Sequence, residues 1–308
     1  MSKQDIAPEY LKKAQEIRDG FGKSDAARDA GLKRPQSIAW ENDVSYGAHG
    51  KWNLMDIYYP KGTEGLLPAI VSVHGGAWMY GTKEVYQFYG CSLAERGFAV
   101  VNFNYRLAPE YPFPAALEDV NAVFSWIKEN GKAHHIDAEC LFAVGDSAGA
   151  QLLSQYAAML TNASYAEMYV QRYGLSIPDI RLRAVALNCG RYDMAPGEDE
   201  ESKLMFCAYF GGEPSAFAEL TDTKRYLTPQ YPPAFVMTAQ HDFLREEAEP
   251  MTEALHRAGV EAECHIYGSK ENERIGHVFH CNVRLDEAKV CNDDECAFFK
   301  KFIKKEFR

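Results

Sequence analysis

Apolar residues fall into two alternating patterns along the chain. Short, often β-branched runs recur at 54–59, 69–74, 99–105, 141–145, 184–188, 234–239 and 262–267. Several are apolar at almost every position, as in Leu141, Phe142, Ala143 and Val144, which predicts strands covered on both faces. Longer stretches with helical spacing lie between them at 85–96, 115–130, 148–160, 245–258 and 295–305. Gly97, Gly131 and Gly259 follow three of these, where a helix ends well on a left-handed residue. The alternation predicts an α/β fold with a mostly parallel central sheet flanked by helices.

Two stretches stand outside it. Residues 1–40 carry a helical pattern (Tyr10, Leu11, Ala14, Ile17) before any strand. Residues 191–228 hold an acidic turn at 196–201 and then Met205, Phe206, Tyr209 and Phe210. Long insertions in compact domains often serve as lids. Both stretches are therefore expected to build a small cap: an N-terminal cap segment (1–40) and a cap insertion (191–228) on an α/β domain spanning 41–308. The alternative for 191–228 is an ordinary connection to the next strand.

Composition narrows the classes. At 308 residues, 46% hydrophobic and 25% charged, the chain can bury a large core. Its net charge of −11 argues against a nucleic-acid partner, which needs clustered Lys and Arg. The start is charged (Glu9, Lys12, Lys13, Glu16, Arg18), so no secretory leader is expected. No run of about 18 apolar residues occurs, so no membrane insertion is expected either. Eight cysteines without a leader read as reduced thiols in a cytoplasmic protein. Cys91, Cys140, Cys189 and Cys264 sit in apolar stretches, where Cys packs as a small hydrophobe. Cys291 and Cys296 lack a second pair at zinc spacing, so neither a metal nor a cofactor is expected. A homo-oligomer is compatible with all of this.

The chemistry starts at Gly145-Asp146-Ser147-Ala148-Gly149, a G-x-S-x-G that leaves an apolar strand and opens a helix. A serine on such a turn projects its hydroxyl above the sheet, and the glycines let the backbone turn that tightly. Upstream, His74-Gly75-Gly76-Ala77-Trp78 follows another strand and can bring backbone N–H groups to a developing oxyanion. Ala148, the residue after the serine, should add one more. His74 is expected to brace the loop. In this arrangement the acid and then the histidine come later in the chain. His277 lies in a loop after the last strand and is preferred as base, with His280 as its competitor. Asp242 ends the strand at 234–239 and is preferred as orienting acid over Asp193.

With these motifs, Tyr105-Arg106-Leu107-Ala108-Pro109-Glu110 and Phe113-Pro114-Ala115-Ala116 complete a resemblance over roughly residues 50–308. The chain resembles the hormone-sensitive-lipase-type (family IV) α/β-hydrolase esterases, which include bacterial acetyl esterases. In that family the loop is usually His followed by three glycines, and Ala77 here replaces the third. The resemblance implies oxyanion donors at Gly76, Ala77 and Ala148, with Gly75 shaping the turn.

A cofactor-free serine carboxylesterase is therefore expected, acting on small esters through an acyl-enzyme. Bulky Trp78, Met79 and Tyr80 beside the loop predict short, acetyl-type acyl groups, including those on sugar or polysaccharide fragments. Trp78, Tyr80, Phe206 and Phe210 are the expected pocket residues. An arylformamidase-like amidase and a non-catalytic ligand receptor of the same fold are the rival readings; retention of His277 and Asp242 argues against the receptor.

Overall fold

The computed structural model describes residues 6–303. Its strands are β1 (Ile38–Ser45), β2 (Leu54–Pro60), β3 (Leu67–Val73), β4 (Ala99–Phe103), β5 (Ile136–Asp146), β6 (Leu182–Asn188), β7 (Ala234–Ala239) and β8 (Ala262–Tyr267). They form one sheet in the order β1-β2-β4-β3-β5-β6-β7-β8. β2 pairs antiparallel with β1 and β4, and every other pairing is parallel. The helices are α1 (Pro8–Asp29), α2 (Gln87–Glu95), α3 (Ala115–Asn130), α4 (Ala148–Thr161), α5 (Ala163–Tyr173), α6 (Glu200–Phe210), α7 (Ala218–Thr221), α8 (Ala248–Arg257) and α9 (Asp286–Lys300). The seven expected strands are all present. So is the fold class.

Alternate residues of the central strands feed two apolar layers, one on each face of the sheet. Val71, Val101, Ala143 and Val185 pack with Leu153 and Phe124 on one face. Ile70, Val100, Phe142 and Ala184 pack with Leu93 and Phe299 on the other. Burial on both faces explains why these strands read as continuous apolar runs.

Five local expectations need correction. β1 was hidden because Glu41, Asn42 and Asp43 interrupt its alternation; the strand bulges between Glu41 and Val44 at the sheet edge. α5 was missed although both its signals were present: the Asn162 side chain accepts the Tyr165 N–H (3.1 Å), and Gly174 closes the helix with φ 70°. Gly131 is not the left-handed residue after α3; it stays helical (φ −52°), and His135 takes that conformation. Cys264 is exposed on edge strand β8 instead of packing in the core. α9 begins at Asp286, before the expected 295; the expected end at 305 and the first five residues lie outside the described residues.

The two irregular stretches meet. α1 packs against α6, and Lys13 reaches Glu201 at 3.2 Å. Arg18 ties α1 to the body of the fold. Its guanidinium donates to both carboxylate oxygens of Glu110 (2.8 and 2.6 Å) and to the carbonyls of Met79 (2.9 Å) and Ala108 (3.1 Å). A bidentate pair with added carbonyl acceptors orients the helix more strictly than a lone surface ion pair. Arg18→Ala should therefore speed hydrogen exchange along α1 and cost roughly 1–2 kcal/mol of stability in urea denaturation. Unchanged exchange in α1 would show that apolar packing alone seats the helix.

Candidate active site

β5 runs directly into Ser147, which adopts φ 52°, ψ −117°, and α4 starts at the next residue. A non-glycine residue there is strained. The Ser147 N–H donates to the Asn188 carbonyl at the end of β6 (2.9 Å), which holds the turn in place. Its glycines are required by space. A Cβ on Gly149 would lie 2.0 Å from the Val73 carbonyl oxygen, and one on Gly145 would lie 2.5 Å from the Gly149 carbonyl. The start of α4 therefore presses directly on the end of β3.

The loop after β3 turns back on itself through Gly76 (φ 115°), Ala77 (φ 50°) and Trp78 (φ 59°). Among the described residues, no hydrogen bond engages the N–H of Gly76, Ala77 or Ala148. Tyr86 ties this loop to the serine turn: its hydroxyl accepts the Gly75 N–H (3.0 Å) and donates to the Asp146 carboxylate (2.7 Å). His74 is fully buried, stacked on Tyr105 at 4.0 Å, with Nδ1 2.8 Å from the Gly75 carbonyl. Burial pulls its imidazole down to about 4. A brace fits these contacts.

Asp242 follows β7 and His277 lies in the loop after β8. His277 Nδ1 is 2.7 Å from Asp242 Oδ1. The carboxylate also accepts the Leu244 N–H (2.8 Å) and the Thr238 hydroxyl (2.9 Å). Burial opposes its charge, but His277 and the Leu244 amide outweigh that and hold the carboxyl below the usual carboxylate range. The two competitors stand elsewhere. His280 is fully buried, edge-on to Tyr89, with its Nδ1 unpartnered, and burial pulls it down to about 3. Asp193 is exposed and accepts the Ala195 N–H.

Ser147 and His277 open onto one cleft of about 230 Å³, lined also by Gly76, Tyr80, Tyr86, Asp146, Phe243 and Val278. α1 supplies its other wall through Phe21, Ser24, Asp25 and Arg28. Of the expected pocket residues, Tyr80 lines this cleft. Trp78, Phe206 and Phe210 do not. Trp78 stacks on Tyr209 at 4.3 Å, bonds Gln151 through its indole N–H (3.0 Å), and packs with Phe206 and Phe210 in the core. Bulk next to the loop therefore became packing under α6.

The α1 wall, Tyr86 and Phe243 were absent from the sequence expectations. The helical pattern of residues 1–40 located α1, but nothing local aims it at Ser147. Two groups of potential metal ligands occur among the described residues: Asp146, His280 and Cys281, and Cys189, Asp242 and His277. Neither involves Cys296. Their donors are already engaged, through the Asp242–His277 and Tyr86–Asp146 bonds, a 3.5 Å Cys281–His280 contact and a 4.0 Å contact from the Cys189 thiol to the Met237 sulfur.

A family profile described as the alpha/beta hydrolase fold matches residues 70–280, and the chain belongs to that family. It is 31% identical over 252 residues to carboxylesterase NlhH of Mycobacterium tuberculosis, covering 77% of each protein. Versiconal hemiacetal acetate esterase of Dothistroma septosporum is 28% identical over 222 residues, 66% of this chain and 65% of that one. Esterase B of Lactobacillus rhamnosis superposes with a TM-score of 0.87 at 23% identity over 96% of each chain, and shows the same fold. The protein is a carboxylic-ester hydrolase of the hormone-sensitive-lipase type.

Behind the serine lie two buried carboxyls. Burial pushes Asp146 up to about 7, against the opposing Tyr86 hydrogen bond and the His277 imidazole. Burial likewise pushes Glu295 up to about 7, against hydrogen bonds from Asn188 (2.6 Å) and Tyr89 (2.9 Å). Unfolded, both ionise at the ordinary carboxylate pH. The folded state therefore binds more protons between that pH and 7, and stability falls as pH rises through the window. Relative to an Asp146→Asn, Glu295→Gln double variant, wild-type stability should decline from about pH 4 to about 7 and level off above, in urea titrations at each pH. A flat difference would refute the buried neutral carboxyls.

Proposed function

We propose that Ser147 is the nucleophile, His277 its base and Asp242 the acid that orients it. The observation that carries this reading is the 2.7 Å Asp242–His277 pair, whose histidine lines one cleft with Ser147 and Gly76. His277 takes the hydroxyl proton as Ser147 attacks the ester carbonyl. The N–H groups of Gly76, Ala77 and Ala148 stabilise the oxyanion, and the α4 N-terminus adds a favourable field. His277 then protonates the departing alcohol, and water releases the acid by the same route. Asp242 stays ionised throughout, consistent with a carboxyl held below its usual range.

Short acyl groups, acetyl first, fit a cleft of about 230 Å³, below the usual range for sites that enclose larger ligands. Esters of sugars remain within this reading. α1 and the 191–228 insertion act as the cap. All eight cysteines are free thiols, which supports a cytoplasmic setting, and no described helix is long and apolar enough to cross a membrane.

Ser147→Ala should reduce p-nitrophenyl acetate hydrolysis by roughly four orders of magnitude or more with an unchanged circular dichroism spectrum. His277→Ala should cost roughly a thousandfold in kcat, whereas His280→Ala should stay within about tenfold and lose stability instead. A dead but folded His280→Ala would move the base by one turn. Acetate and butyrate esters should exceed the octanoate in kcat/KM, since a walled pocket forfeits the burial of about 0.8 kcal/mol per added methylene. Preference for octanoate would remove the short-chain reading.

A further inference from the structure

We propose that Phe243 and Phe21 form a subsite for the alcohol half of the ester, shaped for a flat apolar group such as an aryl-substituted primary alcohol. This rests on the proposed roles of Ser147 and His277. Phe243 is 74% exposed, more than any other large hydrophobic side chain among the described residues. It follows Asp242 directly, and its ring centroid lies 4.3 Å from that of His277 at 43°. Phe21 on α1 is 42% exposed and meets Tyr80 edge-on at 5.8 Å. Both rings line the cleft that holds Ser147.

The reaction assigns them their side of the substrate. The departing oxygen must sit beside the imidazole to receive its proton, so its substituent lies along the wall that Phe243 extends. The carbonyl oxygen points the other way, to the amides. Charged groups on the α1 wall are already satisfied. Asp25 accepts from the Tyr80 hydroxyl (2.9 Å) and from Arg28 (2.8 Å), and Arg28 also donates to Asp29 and to the Val85 carbonyl. The free faces of the two exposed rings are the apolar surface that remains, and an inserted flat apolar group would cover both.

The test compares benzyl acetate with ethyl acetate, whose leaving alcohols are of similar acidity, so the ratio of kcat/KM values reports the subsite and not the chemistry. Wild type should favour the benzyl ester by about tenfold or more, and Phe243→Ala and Phe21→Ala should each cut that ratio several-fold, mainly through KM. Phe243→Trp should retain it. Equal losses on both esters would make Phe243 a prop for His277 and overturn the subsite, as would a ratio near one or a preference for an acetylated methyl glucoside. Saturation-transfer NMR with benzyl alcohol gives a readout free of turnover. If no ester is hydrolysed, the esterase roles fall, yet benzyl alcohol binding that weakens in Phe243→Ala still supports the subsite, and its absence overturns it.

Discussion

The contact on which the site depends is backbone against backbone, where Gly149 meets the carbonyls of Val73 and His74. No side chain fits there. Because α4 can press on the end of β3, the strained serine turn and the loop after β3 lie side by side, and Ser147 sits among the amides of two different segments. Parallel pairing of β3 with β5, Val73 opposite Gly145, sets that approach before any site residue is considered. Strain at Ser147, Ala77 and Trp78 is carried by the surrounding packing: the sheet behind, the Asn188 carbonyl, and the Trp78–Tyr209 stack above.

A layer of buried polar groups then sets the alignment. Tyr86 joins Gly75 to Asp146, and Asn188 joins the Ser147 amide to Glu295. Each group is excluded from water, so each bond would be costly to leave unmade. Ser147 and the loop after β3 are therefore positioned by one connected network. The acid–histidine pair comes from the other side, on the loops after β7 and β8, which are bridged where His241 meets Gly276.

Ala77 is instructive about tolerance. At φ 50° the position favours glycine, which explains the three glycines usual in related loops. Alanine accepts the left-handed region at a cost of order 1 kcal/mol and keeps the backbone N–H. α1 and the loop are coupled in the same region, since Arg18 on α1 bonds the Met79 carbonyl two residues on.

Local sequence was enough for the fold class and for seven of the strands, and it singled out Ser147, Asp242 and His277 as candidates. Those features are written in short windows: apolar runs for doubly covered strands, glycines where the backbone turns sharply, and a serine between a strand and a helix. The preference for His277 over His280 rested on its place in a loop after the last strand, and it is His277 that meets Asp242. What local sequence did not contain is which face a side chain turns to across the fold. Trp78, Phe206 and Phe210 looked like pocket walls and became core, whereas Phe21, Asp25 and Arg28, far away in the chain, became the cleft's second wall. That outcome is set by how α1 and α6 dock, through contacts such as Arg18 with Glu110 that span 92 positions and leave no periodic trace in either segment. Hydrophobicity and turn geometry are local properties of the chain; the shape of a cleft between distant segments is decided only when they pack.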